Sequence, residues 1–332
     1  MSIQNPDKSV LSAKNPQSRL TAIILWLGWI SAGFFFLGLV LFMTTGEQII
    51  LVRWGSYLAP WLAGWLLFLA IPAIIARKWL LVLTLYILAM PPGLLSLNLF
   101  SSLKVDHPAS QTYKVMTYSK MGRNNDIDAV ARVILSEKPD VLFVQEINEQ
   151  ETAKLILLLA DIYDGAPLSY FADSHYGLIL SRYKVTSQLQ KGDYSQAAEI
   201  EFPEKSVRVW NVHLQKSIGN TDAQYQMTDQ LAGQIALTES PRIVAGDFNA
   251  TVVNYPYKKI RQQLENAFEN AGSGFGFTFP SPARRFGIFT PFMRIDHVFY
   301  SHDFNVHKAY VVQNSGNSDH YPVVAFLSLK KD

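Results

Sequence analysis

The stretch Ile243–Ala250, IVAGDFNA, passes from three apolar residues into glycine, aspartate, phenylalanine and asparagine. The apolar residues predict a buried strand, and Gly246 allows the backbone to turn where that strand ends. Asp247 and Asn249 are two residues apart, so in an extended backbone their side chains face one spot. A carboxylate beside a carboxamide suits the binding of a water molecule and a phosphate oxygen. Taken alone, these residues are more typical of an ordinary turn than of a binding site, so the choice between the two depends on the rest of the chain.

The N-terminal region differs from the rest of this chain of 332 residues. It contains three segments without a charged residue, which predict an all-α transmembrane region at 1–103. Each segment is long enough to cross a hydrocarbon core roughly 30 Å thick. A cleaved signal peptide is a poor alternative, because the first segment is too long and two more follow it. The predicted spans lie at about 20–43, 54–76 and 79–103.

Basic residues beside these segments predict their orientation. Because cytoplasmic loops are enriched in lysine and arginine, the N-terminus and the turn at Arg77 and Lys78 are predicted to be cytoplasmic. Three crossings then place the rest of the chain outside the cytoplasm. The basic residues before the first span are Lys8, Lys14 and Arg19.

The third span leaves an alternative open. It contains Pro91, Pro92 and Gly93 in its middle, and proline removes backbone donors and bends a helix. If this segment turned back instead of crossing, the remainder of the chain would be cytoplasmic.

Composition excludes several kinds of site. The chain has no cysteine, which excludes disulfides, a thiol nucleophile and thiolate zinc sites. From Gln111 to Asp332 there are 22 Lys plus Arg against 24 Asp plus Glu, a formal charge of −2. Charge alone therefore does not favour nucleic acid as a partner. Six basic residues could still form a local basic rim, although a solvated helix face and a loop explain them equally well. They are Lys258, Lys259, Arg261, Arg284, Arg285 and Arg294.

Beyond the predicted spans, a polar linker at 104–112 leads into a predicted domain at 113–332. Short apolar runs such as Val141–Val144 and Val207–Leu214 predict strands, while Asn125–Glu137 and Asp222–Ser240 have helical spacing of apolar residues. Strands interleaved with helices in this order predict a layered α/β domain, with sheets inside and helices outside.

Polar residues stand at or near the ends of these strands. Any one of them is ordinary by itself: Glu146 follows the apolar run VLFV, and His213 lies within VWNVHL. As a set they are less ordinary, because carboxylates gathered with histidines, without thiolates, favour a hard divalent ion such as Mg²⁺ or Mn²⁺. Such a set is typical of metal-assisted hydrolysis of phosphate esters. The set comprises Glu146, His213, Asp247, Asn249, Asp296, Asp319 and His320.

The ordered series VQEI, NVHL, GDFNA, RIDHVF and SDHYPV resembles the endonuclease/exonuclease/phosphatase superfamily, which has the DNase I-like fold. The resemblance covers about Tyr113 to Lys330. It implies a four-layer α/β sandwich in which two sheets pack face to face and the site lies at one sheet edge. The predicted fold is therefore this sandwich, preceded by the transmembrane region of three helices.

The resemblance also implies roles for the polar residues. Glu146 would be a metal ligand, with Asp319 as a possible second carboxylate near the ion. Asp247 would orient or deprotonate the attacking water, and Asn249 would hold the phosphate.

The histidines would contact the phosphate. His320, paired with Asp296, would contact the scissile group, and His213 would be a second phosphate contact or the acid for the leaving group. A carboxylate beside a histidine raises the pKa of the imidazole and fixes its ring, so Asp296 is predicted to orient and not to act as a base.

One position departs from the family pattern. The first strand of the family usually ends in an asparagine that assists at the metal, whereas YKVMTYSK places Ser119 there. Asn124 or Asn125 could reach in from the loop, or a water could take that place.

The resulting prediction is a membrane-anchored, Mg²⁺- or Mn²⁺-dependent phosphoesterase of nuclease-like type. It would be a multi-pass protein of the cell inner membrane, with its catalytic domain in the periplasm or outside the cell and the lipid bilayer as a partner. The alternatives are a phosphoesterase for phospholipid, sphingomyelin or inositol phosphate, and a catalytically weak binding module. The motifs are shared by all the enzyme types, so the substrate stays open between nucleic acid and a lipid or small phosphodiester.

Overall fold

The computed structural model describes residues 16–97, 99–101, 111–160, 169–173, 177–191, 195–216, 221–283 and 291–330. The chain forms two compact units. One comprises Met1–Gly46 with Ala59–Leu94, and the other comprises Glu47–Leu58 with Leu95–Asp332. Residues 104–110 of the predicted linker lie outside the described part of the chain.

The first unit is helical. Its members are α1 (Pro16–Thr45), α3 (Ala59–Ile75) and α4 (Trp79–Leu97), while the short helix α2 (Ile50–Tyr57) belongs to the second unit. Among the described residues, Thr21–Thr45 and α4 are each long and apolar enough to cross a membrane, and α2 with α3 could add a third, bent span. Leu66, Leu81 and Leu85 are fully buried in the core of this unit.

The second unit is built on two sheets of six strands each. In the first sheet the strand order is β11-β12-β1-β2-β4-β3, and in the second it is β5-β6-β7-β8-β10-β9. Each sheet has one parallel pair, β1 with β2 and β7 with β8, among antiparallel neighbours. The strands are β1 (Tyr113–Ser119), β2 (Val141–Gln145), β3 (Ser169–Asp173), β4 (Gly177–Ser181), β5 (Val185–Lys191), β6 (Ser195–Glu201), β7 (Ser206–His213), β8 (Arg242–Asp247), β9 (Glu265–Asn266), β10 (Asp296–Tyr300), β11 (Phe304–Val311) and β12 (Val323–Leu329).

The sheets pack face to face, and helices cover the outside. Val115, Phe143, Val209 and Ala245 belong to the apolar core between the two sheets. Separate cores lie under the helices of the first sheet and under those of the second. The predicted four-layer α/β sandwich is thus confirmed. The helices are α5 (Ile127–Glu137), α6 (Glu149–Leu159), α7 (Thr221–Ala236), α8 (Tyr255–Arg261) and α9 (Ala267–Ala271).

Local sequence signals explain why helices begin immediately after strands. Asn148 accepts a hydrogen bond from the Glu151 amide, and the Glu151 carboxylate accepts one from the Asn148 amide. This reciprocal cap satisfies free amides at the start of α6, three residues after β2 ends. Asp126 caps α5 by a single bond, which its side chain accepts from the Ala129 amide. The turns between strands and helices are therefore fixed, and they carry the candidate site.

A buried network of side-chain amides joins the two sheets. Gln145 of β2 donates to Asn211 Oδ1 at 2.6 Å, and Asn211 Nδ2 donates to Gln196 Oε1 at 2.8 Å. Asn211 Nδ2 also reaches the Val144 carbonyl oxygen at 2.9 Å, and Gln196 Nε2 donates to the Gly177 carbonyl oxygen at 2.9 Å. Because unpaired buried amides are costly, these partners specify how β2 and β4 face β6 and β7.

Replacing Asn211 by alanine should lower the free energy of unfolding by about 2–4 kcal/mol, because Gln145 and Gln196 would both lose a buried partner. Chemical denaturation of the purified full chain in detergent measures the change. Asn305→Ala, at an exposed position of β11, is the matched control and should change stability by less than about 0.5 kcal/mol. Equal losses for the two variants would contradict a role for the network.

Candidate active site

The polar residues meet where strands of both sheets end. In the second sheet, β7 and β8 run parallel and place His213 opposite Asp247. The antiparallel strand β10 begins at Asp296, which is also opposite Asp247. In the first sheet, the parallel pair β1 and β2 places Ser119 opposite Gln145, directly before Glu146. Strand pairing therefore gathers side chains that are far apart in sequence.

Gly246 makes the approach of β8 to β7 possible. Its φ is 155°, and a Cβ at this position would lie 1.8 Å from the Val212 carbonyl oxygen. A side chain is therefore excluded at the residue before Asp247.

Asp247 lies at the centre of the site and is fully buried. Its Oδ2 is 3.9 Å from His213 Nε2 and 3.7 Å from His320 Nε2. Two clusters of possible metal-binding residues share it: one adds Glu146 and His213, and the other adds Asp296 and His320. Burial raises the pKa of Asp247, and the proximity of His320 opposes that rise.

Glu146 lies at the more open side of the site, with 22% of its side chain exposed. Its φ is 60°, a left-handed conformation that is uncommon outside glycine. The Gly122 amide donates to its Oε2 at 2.7 Å, and its Oε1 is 3.7 Å from His213 Nε2. Burial opposes ionisation of Glu146, but His213 and the Gly122 amide outweigh it and lower the pKa of this carboxyl. Glu146 is therefore held as a carboxylate.

His320 and Asp296 form a buried pair. His320 Nδ1 is 2.9 Å from Asp296 Oδ2 and 3.2 Å from Oδ1. Burial alone would disfavour the imidazolium, but the charges of Asp296 and Asp247 dominate and raise the pKa of His320 to about 10. This histidine carries a positive charge at neutral pH.

The pKa of His213 shifts in the opposite direction. Burial lowers it, and the carboxylate of Glu146 only partly opposes that shift. The two imidazoles on either side of Asp247 therefore differ in their affinity for a proton, which gives them different chemical capacities.

Asn249 is held by its backbone and its side chain. Its φ is 46°, its amide donates to Asp247 Oδ1 at 2.8 Å, and its Nδ2 donates to the Leu214 carbonyl oxygen at 2.8 Å. Its own carbonyl oxygen accepts from Gln224 Nε2 at 3.2 Å. These contacts fix the carboxamide beside Asp247 through a left-handed backbone at Asn249, and not through the extended backbone on which the prediction from spacing rested.

Asp319 is buried and lies beside His320, with 3.9 Å between its Oδ1 and His320 Nε2. It is outside both clusters that could hold a metal. Asn124 is committed elsewhere, because its Nδ2 donates to the Gly316 carbonyl oxygen at 2.9 Å. The Ser119 hydroxyl, by contrast, is buried without a hydrogen-bond partner among the described residues. Between Ser119 and Asn124, Ser119 is thus the side chain with free bonding capacity.

Two of the described residues of the possible basic rim are bound elsewhere in the fold. Arg294 is fully buried and donates from Nη1 to the Phe275 carbonyl oxygen at 3.1 Å. Arg261 is paired with Glu265 and Glu269 in ion pairs of 2.7 and 2.9 Å. Arg284 and Arg285 lie outside the described residues.

Sequence reasoning missed the residues that support the site from behind. Gln145 and Asn211 were visible beside Glu146 and His213, but their pairing across two sheets has no local signal. Gln224 in α7 and Tyr57 in α2 both donate to the Asn249 carbonyl oxygen. Tyr57 lies within the predicted span at 54–76, so hydropathy alone does not indicate that it contacts the site.

Comparisons with known proteins agree with this architecture. Residues 95–320 match the model of the endonuclease/exonuclease/phosphatase family. The chain belongs to that family, whose members are hydrolases of phosphate esters. No curated protein sequence matches the chain significantly.

Solved structures share the fold at low sequence identity. A family protein from Bacteroides thetaiotaomicron superposes with a TM-score of 0.54 at 16% identity, over 67% of this chain and 99% of that one. A family protein from Bacteroides vulgatus superposes with a TM-score of 0.54 at 19% identity, over 67% of this chain and 100% of that one. D. rerio TDP2, complexed with a single-strand DNA product, superposes with a TM-score of 0.54 at 14% identity, over 66% of this chain and 100% of that one. At these identities the likeness concerns the fold.

Replacing Gly246 by alanine should destabilise the protein by at least about 3 kcal/mol, because the new methyl would collide with the Val212 backbone in a strained conformation. Thermal unfolding of the full chain in detergent provides the measurement. Gly233→Ala is the control: a Cβ on this exposed residue of α7 meets nothing within 4 Å, so this variant should be neutral or slightly more stable. A Gly246 variant as stable as the wild type would refute the steric argument.

Proposed function

We propose that this phosphoesterase is a membrane-anchored, divalent-metal-dependent enzyme that hydrolyses phosphodiester bonds. The observation that carries the proposal is the convergence of Glu146, His213 and His320 on the buried carboxylate of Asp247. Such a set can bind a cation, position a water and offer positive charge to a phosphate within one site.

The donor set fits a hard divalent cation. The site contains four carboxyl groups and one protonated histidine, His320, so it lacks positive charge. The carboxyl groups belong to Glu146, Asp247, Asp296 and Asp319. We assign Glu146 as a ligand of Mg²⁺ or Mn²⁺, with Asp319, which lies outside both clusters, as a possible second carboxylate near the ion. The unpaired Ser119 hydroxyl would be available to the ion or to its water. The ion would supply charge that offsets the negative charge growing on the phosphate oxygens.

Asp247 and Asn249 would act on the water and the phosphate. A carboxyl whose pKa is raised by burial is a better proton acceptor than an exposed one, which suits Asp247 as the group that orients or deprotonates the nucleophile. Asn249 is fixed by its bond to Leu214, and its carboxamide would hold a phosphate oxygen.

The histidines would have separate roles. His320, charged and oriented by Asp296, would donate to the scissile phosphate and stabilise its transition state. Burial lowers the pKa of His213, which favours a phosphate contact through its ring N–H over donation of a proton to the leaving group.

For the substrate, we propose a nuclease-like phosphodiesterase first. Support comes from D. rerio TDP2, which shares the fold and was solved in complex with a single-strand DNA product. A lipid or inositol phosphoester is the second candidate, favoured by the membrane anchor and by the formal charge of −2 from Gln111 to Asp332.

Asp247→Ala and His320→Ala should each reduce metal-dependent turnover at least about 10³-fold, since both remove groups that act in the transition state. The assay uses the full chain in lipid nanodiscs with single- and double-stranded DNA, RNA, phospholipid diesters and phosphomonoesters. Each substrate is tested with Mg²⁺, with Mn²⁺ and with chelator.

Asp128→Ala and His302→Ala, at exposed positions outside the set of candidate site residues, serve as controls and should retain wild-type rates. Turnover that survives chelation, or that persists in both active-site variants, would contradict the proposed mechanism. Ligand binding by a folded protein without turnover on any substrate would instead support a binding module.

The proposed location is a multi-pass protein of the inner membrane with the catalytic unit outside the cytoplasm. Glu47–Leu58 belongs to the same compact unit as Leu95–Asp332. In our proposal both segments lie on one side of the membrane, and this is met if α3 and α4 cross it as a pair. This supports a third crossing despite Pro91 and Pro92, and the turn at Arg77 and Lys78 would be on the cytoplasmic side.

The absence of native cysteine allows a direct test of this topology. In intact spheroplasts, a membrane-impermeant maleimide should label Asn305→Cys, whereas Lys78→Cys should be labelled only after permeabilisation. Both side chains are exposed, so a difference reports the side of the membrane. The reverse pattern would place the catalytic unit in the cytoplasm.

A further inference from the structure

The segment Glu47–Leu58 is the least expected part of the catalytic unit. It lies in sequence between two helices of the first unit, yet it packs with residues more than a hundred positions later. Its helix α2 has only eight residues, about 12 Å at 1.5 Å per residue, which is too short to cross a membrane.

The inner face of this segment holds the loop that carries Asn249. The Tyr57 hydroxyl donates to the Asn249 carbonyl oxygen. Asn254 Nδ2 donates to Ser56 Oγ at 2.7 Å and to Glu47 Oε2 at 3.1 Å. On the other side of the same carboxamide, Asn254 Oδ1 accepts from the Thr251 amide and hydroxyl, each at 2.8 Å. Asn254 thus ties the active-site loop to α2.

These bonds act on a backbone that would otherwise resist its conformation. Asn249 has a φ of 46°, which asparagine tolerates better than most residues but which still needs support from its surroundings. The donors at its carbonyl oxygen are Tyr57 and Gln224. The hydroxyl of Tyr57 therefore acts on the backbone of a candidate catalytic residue.

Within the described part of the chain, the outer face of α2 is apolar and exposed. Ile50, Leu51 and Trp54 are 48%, 78% and 39% exposed, whereas Val52 and Arg53 are buried. The exposed residues share one side of the helix, as their spacing requires. Only residues 46–49 separate α1 from α2, and residue 58 alone separates α2 from α3. If α1 and α3 span the membrane, these short connections keep α2 near the bilayer surface, where an apolar face is buried in the interface and not in water.

We propose that α2 is an interfacial helix that rests its Ile50, Leu51 and Trp54 face in the lipid surface and positions the Asn249 loop through Tyr57 and Asn254. This inference rests on the proposed membrane anchoring. Tyr57 is a positioning residue: it holds the backbone of Asn249, which would contact the phosphate. The bilayer is the occupant of the outer face because the neighbouring helices on both sides of α2 are the membrane spans.

The lipid contact is tested by spin labels on single cysteines in the full chain, reconstituted in phosphatidylcholine vesicles. A label at Leu51→Cys should collide with oxygen more than with a water-soluble nickel complex. Phe34→Cys in α1 is the membrane reference, and Leu237→Cys, 88% exposed after α7, is the aqueous reference.

The labels separate the possible failures. If the label at residue 34 is in lipid and the label at residue 51 is as aqueous as that at residue 237, the interfacial helix is refuted while the anchor stands. If the label at residue 34 is aqueous, the anchor itself fails. Dipolar broadening between labels at residue 51 would show that a second copy covers this face, which also refutes the lipid contact.

The positioning role is tested with Tyr57→Phe, which removes one hydroxyl. It should lower kcat roughly tenfold with KM changed less than about twofold, because a misplaced group weakens transition-state contacts more than ground-state binding. Tyr310→Phe, which removes a hydroxyl bound to Glu137, is the matched control and should keep the wild-type kcat.

Hydrogen exchange provides a second readout that needs no substrate. The backbone amides of residues 249–254 should exchange faster in the Tyr57→Phe protein than in the wild type or the Tyr310→Phe protein. Unchanged exchange and unchanged kcat would overturn the positioning role. Faster exchange in a protein inactive on every substrate would support it while refuting the proposed activity.

Discussion

The burial of one carboxylate organises the site. Asp247 is fully buried, and a carboxylate out of water is costly unless charges and donors surround it. The Asn249 amide, the imidazolium of His320 and the nearby His213 are those groups. Each of them comes from a different strand end or turn, so satisfying one side chain requires strands from across the sandwich to end in the right places. The arrangement that stabilises Asp247 is therefore also the arrangement that can do chemistry.

The two halves of the sandwich are kept in register by polar groups as well as by apolar packing. Apolar side chains between sheets fill space but tolerate sliding, whereas the amides of Gln145, Asn211 and Gln196 require specific partners. This network lies next to Glu146 and two residues before His213. It transmits the geometry of one sheet to the other immediately behind the site, where an error of an ångström would separate the carboxylate from the imidazole.

Short local patterns in the sequence are enough to predict the fold and to select the polar residues that stand at strand ends. Strand ends such as GDFN and VQEI are recognisable without knowing what they contact. Contacts between segments that are distant in sequence have no such local pattern and cannot be predicted from one. The burial of Arg294 against Phe268 and the Phe275 carbonyl oxygen depends on loops that pack only in three dimensions. A charged residue beside a motif therefore looks like part of a basic surface until its partners are known.

Hydropathy has a similar limit at α2. A window that averages over Trp54–Ala76 sees one apolar segment, but the structure divides it at Leu58 into a helix of the second unit and a helix of the first. What distinguishes them is the inner face of α2, where Tyr57 and Ser56 meet Asn249 and Asn254. The partners of that face lie far along the chain, so an average of hydropathy over a local window does not detect them.

The discontinuity of the second unit imposes an order of events on the ribosome. Glu47–Leu58 is synthesised before the loop it contacts, and β1 lies between β2 and β12, so the first sheet is completed only with the last strand. Domains that are contiguous in sequence can fold as soon as they emerge, but this one has to wait. A nascent chain consequently completes its N-terminal helices before it can assemble a phosphoester-hydrolysing site. The order of segments along the chain thus ties the appearance of the assembled site to helices that are already made.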